Sequence, residues 1–174
     1  LNFGSKFPVF AISILSISVG NVLLPYFAEL KNINSQQILR DLNKKAVIVF
    51  LIGAFCTIFM LIFGEFLVTV FFEHGEFNSK NTKTVTNVLK MFSFQIPFYI
   101  LNIMLVRFLT AFNLNIFNII SSSVAVILNV ILNYLLIENF GISGIALSTS
   151  LVIFFSFALK YLYIQIKFSN TCIE

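Results

Sequence analysis

The sequence predicts an all-α fold: a polytopic integral membrane helical bundle of about five transmembrane helices. Three observations carry that reading. Hydrophobic residues fill 59% of the 174 positions and charged residues only 10%, where a soluble domain is about a quarter charged. The mean hydropathy is +0.98. The apolar residues also gather into five stretches divided by short polar segments. Each stretch approaches the roughly 20 residues that a helix, rising about 1.5 Å per residue, needs to cross about 30 Å of hydrocarbon.

The first span covers 8–27, and Ser13, Ser16, Ser18, Gly20 and Asn21 punctuate it before Pro25. Small and weakly polar residues let a neighbouring helix approach closely, or face an internal cavity. Segment 28–45 carries Glu29, Lys31, Arg40, Asp41, Lys44 and Lys45, with Ile38 and Leu42 four apart on one helical face. That is the pattern of a short helix lying along the membrane surface. The second span, 46–63, is uncharged for 18 residues; Gly64 and Glu65 then mark a break, and 66–72 is too short to cross alone.

Segment 73–83 is the most polar in the chain and includes the turn formers Gly75, Asn78 and Ser79, so it reads as a loop on the outer side. The third span, 84–112, exceeds one bilayer thickness. It holds Lys90 one or two turns inside and Pro97 near its middle, where a missing N–H kinks a helix. In the fourth span, 116–137, Asn118, Ser122, Asn129 and Asn133 follow offsets of four, seven and four, which makes one polar stripe. The fifth, 141–166, opens with Gly141, Gly144 and Ser148 at small-residue spacing. Lipid offers an amide nothing to bond, so the stripe and the small face are expected to point inward.

The formal charge of +4 comes from basic residues scattered among helix ends, which argues for orientation in a membrane and against a nucleic-acid partner. The segments after the first, third and fifth spans hold Lys31, Arg40, Lys44, Lys45, Arg107, Lys160 and Lys167. The opposite side holds Lys6, Lys80, Lys83 and Lys90. Seven against four makes the first group cytoplasmic. Cys56 and Cys172 have no partner at metal or redox spacing. One His, no nucleophile triad, no Gly-rich phosphate loop and no metal-ligand cluster leave no basis for an enzyme, a cofactor or a metal site.

Three strings carry a family likeness. Asn21-Val-Leu-Leu-Pro25, Phe72-Glu-His-Gly-Glu-Phe77 and Gly144-Ile-Ala-Leu-Ser-Thr-Ser150 resemble, in order and separation, the MurJ/MviN lipid II flippases of the multidrug/oligosaccharidyl-lipid/polysaccharide exporter superfamily. The resemblance covers almost the whole chain. It implies helices eight to twelve of a larger, fourteen-helix flippase fold in a bacterial inner membrane, a lipid-linked oligosaccharide as substrate and membrane lipids as surroundings. The family's cavity arginines match no residue here. Where such flippases often show Phe-Tyr-Ala-x-x-Asp-Thr-x-Thr-Pro, this chain has Asn113 for the acid and Phe117 for the proline. That departure keeps a second substrate open, another undecaprenyl-linked polysaccharide. The start at Leu1 without a basic leader reads as a piece of a longer chain, and a separately encoded N-terminal half is an implied partner.

Single residues read two ways. Arg107 is placed to bind a lipid-linked diphosphate bidentately, or to snorkel as an interface anchor. Lys90 lines a cavity or pairs with another group. Asn118, Ser122, Asn129 and Asn133 bind sugar hydroxyls, or hydrogen-bond between helices. His74, between Glu73 and Glu76, responds to pH or is a solvated turn residue. The charge asymmetry gives a direct test: cysteines introduced at Lys31 and Asn115 are expected to resist a membrane-impermeant thiol reagent in intact cells, while one at Ser79 labels. The reverse pattern would overturn the orientation.

Overall fold

A computed structural model describes residues 2–72 and 79–170. These form six α-helices: α1 (Asn2–Glu29), α2 (Ser35–Phe72), α3 (Ser79–Ser93), α4 (Gln95–Ala111), α5 (Asn115–Phe140) and α6 (Ile142–Asn170). A short 3-10 turn, Leu30–Asn32, links α1 to α2, and no strand occurs among the described residues. With α3 and α4 counted as one broken span, five units are long and apolar enough to cross a membrane. The loop string from Phe72 to Phe77, with His74, lies outside the described residues apart from the backbone at Phe72.

Two expected boundaries dissolve in α2. Its 38 residues run unbroken for about 57 Å, so the segment expected to lie apart along the surface supplies the first turns of a long helix. Ile38 and Leu42 do share a face, and both are buried in the core. Gly64 does not interrupt the helix either. A Cβ there would come within 2.8 Å of Leu89 Cδ2, so the glycine admits α3 at close range, while Glu65 remains exposed.

The third span does break, at Phe94, between α3 and α4. Pro97 is the cause: it has no N–H for the carbonyl of Ser93, and its ring crowds that carbonyl. The oxygen finds another donor. Thr57 Oγ1 of α2 lies 3.1 Å from Ser93 O, and Ser150 Oγ of α6 lies 2.9 Å from Met91 O on the other side. Gly53 makes the approach possible, since a Cβ there would sit 2.5 Å from Pro97 Cα.

The whole bundle is built around α4, which packs against α1, α2 and α6. About half of the residues over 82–111, most of them on α4, are buried, whereas α5 has almost no buried residue, so α4 is the core and α5 the periphery. At one end Phe108 of α4 meets Phe27 of α1, Phe112 and Phe168 of α6 with ring centroids 4.6–5.3 Å apart. Burying rings of this size dominates the local packing energy. α5 is tied mainly to α6. Phe117 stacks on Tyr163 at 3.8 Å, and a Cβ on Gly144 would fall 2.3 Å from Leu136 O, which is why that position of α6 is a glycine.

Two corners depend on unusual backbone. Asn113, between α4 and α5, has φ 59°, and Gly141, between α5 and α6, has φ 56° with ψ −136°. Asn tolerates the left-handed region, and the glycine conformation is essentially closed to other residues. Gly141→Ala is therefore expected to cost about 1–3 kcal/mol by backbone strain alone, because nothing lies within 4 Å of the added Cβ. Asn113→Val should cost about 1–2 kcal/mol and Asn113→Gly almost nothing. Thermal unfolding in detergent measures all three; equal midpoints for Asn113→Val and Asn113→Gly would show that the turn does not constrain the fold.

Candidate functional site

Polar groups inside an apolar bundle are costly unless bonded, so their positions and partners mark where function concentrates. The sequence-predicted residues separate into three places. Asn129 and Asn133, one turn apart on α5, are half-buried and linked: Asn133 Nδ2 donates to Asn129 Oδ1 at 2.8 Å. Ser148 of α6 donates its hydroxyl to Asn133 Oδ1. The small face of α6 thus meets the inner half of the polar stripe, with Gly144 against the α5 backbone and Ser148 one turn later against the asparagines.

The outer half of the stripe is different. Asn118 and Ser122 line a groove of about 410 Å³ on the open side of α5, together with Ile119, Ser123 and Val126. Asn118 Oδ1 is buried without a hydrogen-bond partner. Ser122 is exposed.

Arg107, on the last turns of α4, lies against α1. A Cβ on Gly20 would come 3.1 Å from both Nε and Nη2, so the glycine lets the guanidinium rest close on the helix backbone. Its Nε is buried and unpartnered, and so is Ser16 Oγ one turn earlier on α1. The guanidinium therefore keeps donors for a further acceptor. Lys90 is half-buried on α3 and bonds to none of the described residues. It stands seventeen residues from Arg107, about 25 Å along the broken span, so the two cations do not form one cluster.

One polar centre escaped the sequence reading. Lys160, counted there among cytoplasmic-end charges, is 2% exposed and sits in the seam between α4 and α6. Its Nζ donates to Asn102 Oδ1 at 2.8 Å and to Ser156 Oγ at 2.9 Å, and Asn102 Nδ2 reaches Ser156 Oγ at 3.4 Å. No carboxylate among the described residues pairs with it. The signal was present: Lys160 lies inside an apolar run, seven residues before Lys167, with Ser156 four positions earlier on the same face. Nearby, Asn43 Oδ1 accepts from Tyr161 Oη at 3.1 Å and Gln165 Nε2 at 2.9 Å, fastening α2 to α6. No three His, Cys, Asp or Glu side chains gather as metal ligands among the described residues.

Comparison with known proteins places this arrangement. The profile of the family described as lipid II flippase MurJ matches residues 1–171. The chain belongs to the MurJ family. A probable lipid II flippase MurJ of Buchnera aphidicola subsp. Baizongia pistaciae (strain Bp) is 27% identical over 161 residues, covering 91% of this chain and 31% of that protein. A solved structure titled lipid II flippase MurJ, inward closed conformation, superposes with a TM-score of 0.74 over 94% of this chain and 34% of its own, at 22% identity. The chain thus spans about a third of the length of the relatives it matches. The MurJ match supports a polytopic membrane protein of a transporter family, not an enzyme.

The structure gives the departing string a local explanation. Asn113 forms the left-handed corner after α4, and Phe117 docks α5 onto Tyr163. Both residues serve the fold. The Lys160 centre gives a prediction that separates packing from pairing. Removing one member of a buried polar set leaves the other uncompensated, while removing the set is often neutral. Asn102→Leu is expected to cost about 3 kcal/mol, and Lys160→Met added to Asn102→Leu to restore most of the loss. Thermal shifts of the three chains in detergent test this, and additive losses would refute it.

Proposed function

We propose that the chain forms one side of the translocation pathway of a lipid II flippase in a bacterial inner membrane. Its MurJ-family match over residues 1–171 carries this reading. In such a transporter a lipid-linked oligosaccharide crosses by alternating access between packed bundles. Arg107 offers unpartnered guanidinium donors to the diphosphate, and Lys90 offers a second cation at the other end of the same span. Asn118 and Ser122, on the groove of α5, offer amide and hydroxyl groups to the sugars. Asn129 and Asn133 hold α5 to α6 through Ser148 and share their remaining hydrogen-bonding capacity with the pathway.

Transport in this reading needs more than these 174 residues. Desolvating a diphosphate costs several kcal/mol per charge unless cations compensate it, and Lys90 and Arg107 are too far apart to act together. The missing cations come from a further part of the protein, an N-terminal half encoded with this chain or separately.

Cells depleted of their lipid II flippase supply the test. The chain alone is expected not to restore growth, and co-expression with an N-terminal half of a MurJ protein is expected to restore it. In the rescued pair Arg107→Ala should weaken substrate binding about 10- to 100-fold, the loss of a charge-assisted hydrogen bond of about 1.5–3 kcal/mol. Growth restored by the chain alone, with protein confirmed in the membrane, would overturn the reading of an incomplete pathway. A rescued pair that flips a different undecaprenyl-linked glycan and not lipid II would overturn the substrate.

A further inference from the structure

The two hydroxyls that bond the end of α3, just before the Phe94 break, share a property. Thr57 Oγ1 carries one hydrogen and has two acceptors in reach: Ser93 O across the interface at 3.1 Å and Gly53 O on its own helix at 3.0 Å. Ser150 Oγ repeats the arrangement, with Met91 O across the interface at 2.9 Å and Ala146 O on its own helix at 3.1 Å. Each hydroxyl can rotate from the interhelical acceptor to the intrahelical one and keep its hydrogen bonded throughout.

We propose that the break is a hinge closed by two such latches, about which α3 pivots on a fixed α4. The inference deepens the transporter reading by naming a moving part. Release of both latches frees the Ser93 carbonyl, which Pro97 leaves without a helical partner in either setting, so the break marks where bending meets least resistance. The turn before it stays closed, because Ser93 Oγ donates to Leu89 O at 2.8 Å.

The two sides of the break differ as a hinge requires. α4 is gripped by the Phe27, Phe108 and Phe168 rings and by the Asn102–Lys160 contact, and most of its length is buried. α3 exposes Lys83, Thr84 and Asn87 on one face. On the other, Val88 and Leu89 ride over glycines: a Cβ on Gly4 would lie 2.6 Å from Val88 Cγ1, and one on Gly64 2.8 Å from Leu89 Cδ2. At these two points α3 meets a glycine, which has no side chain.

Paired spin labels on the full 174-residue chain in bilayer nanodiscs test the hinge, with Cys56→Ser and Cys172→Ser as background. Labels at Lys83 and Ile62 span the hinge; labels at Thr110 and Val22 report α4 against α1. The hinge pair is expected to give a broad distance distribution in the parent chain. Pro97→Ala, which supplies an N–H to Ser93 O, should narrow it. Thr57→Val with Ser150→Ala, which removes both latches at nearly constant volume, should shift its mean by several ångströms. The α4–α1 distance should stay fixed in every chain. Identical hinge-pair distributions in all three chains would overturn the proposal, and so would both pairs broadening together. The readout needs no transport, so its failure leaves the flippase reading to the growth test.

Discussion

A backbone carbonyl in hydrocarbon has no water to bond, and leaving one bare costs several kcal/mol. Pro97 creates that problem at Ser93, in the middle of the most buried span of the chain. The repair comes from another helix. Thr57 and Gly53 of α2 supply a hydroxyl and the space to bring it close, and Ser150 of α6 bonds the neighbouring Met91 carbonyl. Helices α2 and α6 are therefore tied to the last turn of α3, just before the break, by backbone chemistry as well as by apolar contact. Once they are in place, the aromatic cluster around Phe108 and the Asn43 bridge between α2 and α6 fall into register.

The same rule governs side chains. Lys160 buries an ammonium with neutral oxygen partners, and the asparagines of α5 bond one another and Ser148. Each set satisfies itself within the seam between two helices, which favours a single packing register: sliding α6 by one residue would break the Lys160–Asn102 bond to α4 and the Ser148–Asn133 bond to α5. Apolar contacts alone would not discriminate so sharply, because lipid tails compete with Leu and Ile for the same surfaces. The polar seams fix where helices sit, and the rings and aliphatic side chains fill the space between them.

This division explains what the sequence disclosed. Span number, the kink at Pro97 and the close approach at Gly144 and Ser148 are legible because each follows from a local property: apolar length, a missing N–H, a missing side chain. The continuity of α2 is not legible, because Gly64 and Glu65 look like a break until Leu89 occupies the space above the glycine. Lys160 is misread for a related reason. A lysine in an apolar run looks like an interface anchor unless its partners are known, and Asn102 lies 58 residues away. The polar stripe of α5, expected to point inward as a whole, divides into two halves, since α6 covers Asn129 and Asn133 and leaves Ser122 open. Local rules predict elements; which face a neighbour covers is a long-range fact.

Charge placement connects the fold to the transport reading. Lys90 and Arg107 lie on opposite sides of the Phe94 break, about 25 Å apart on one span, and the buried Lys160 already donates two of its three N–H groups within the seam. In the transport reading, an anionic head group moving along this span would meet one cation on each side of the break. Strong neutralisation at mid-depth has to be supplied from across the pathway.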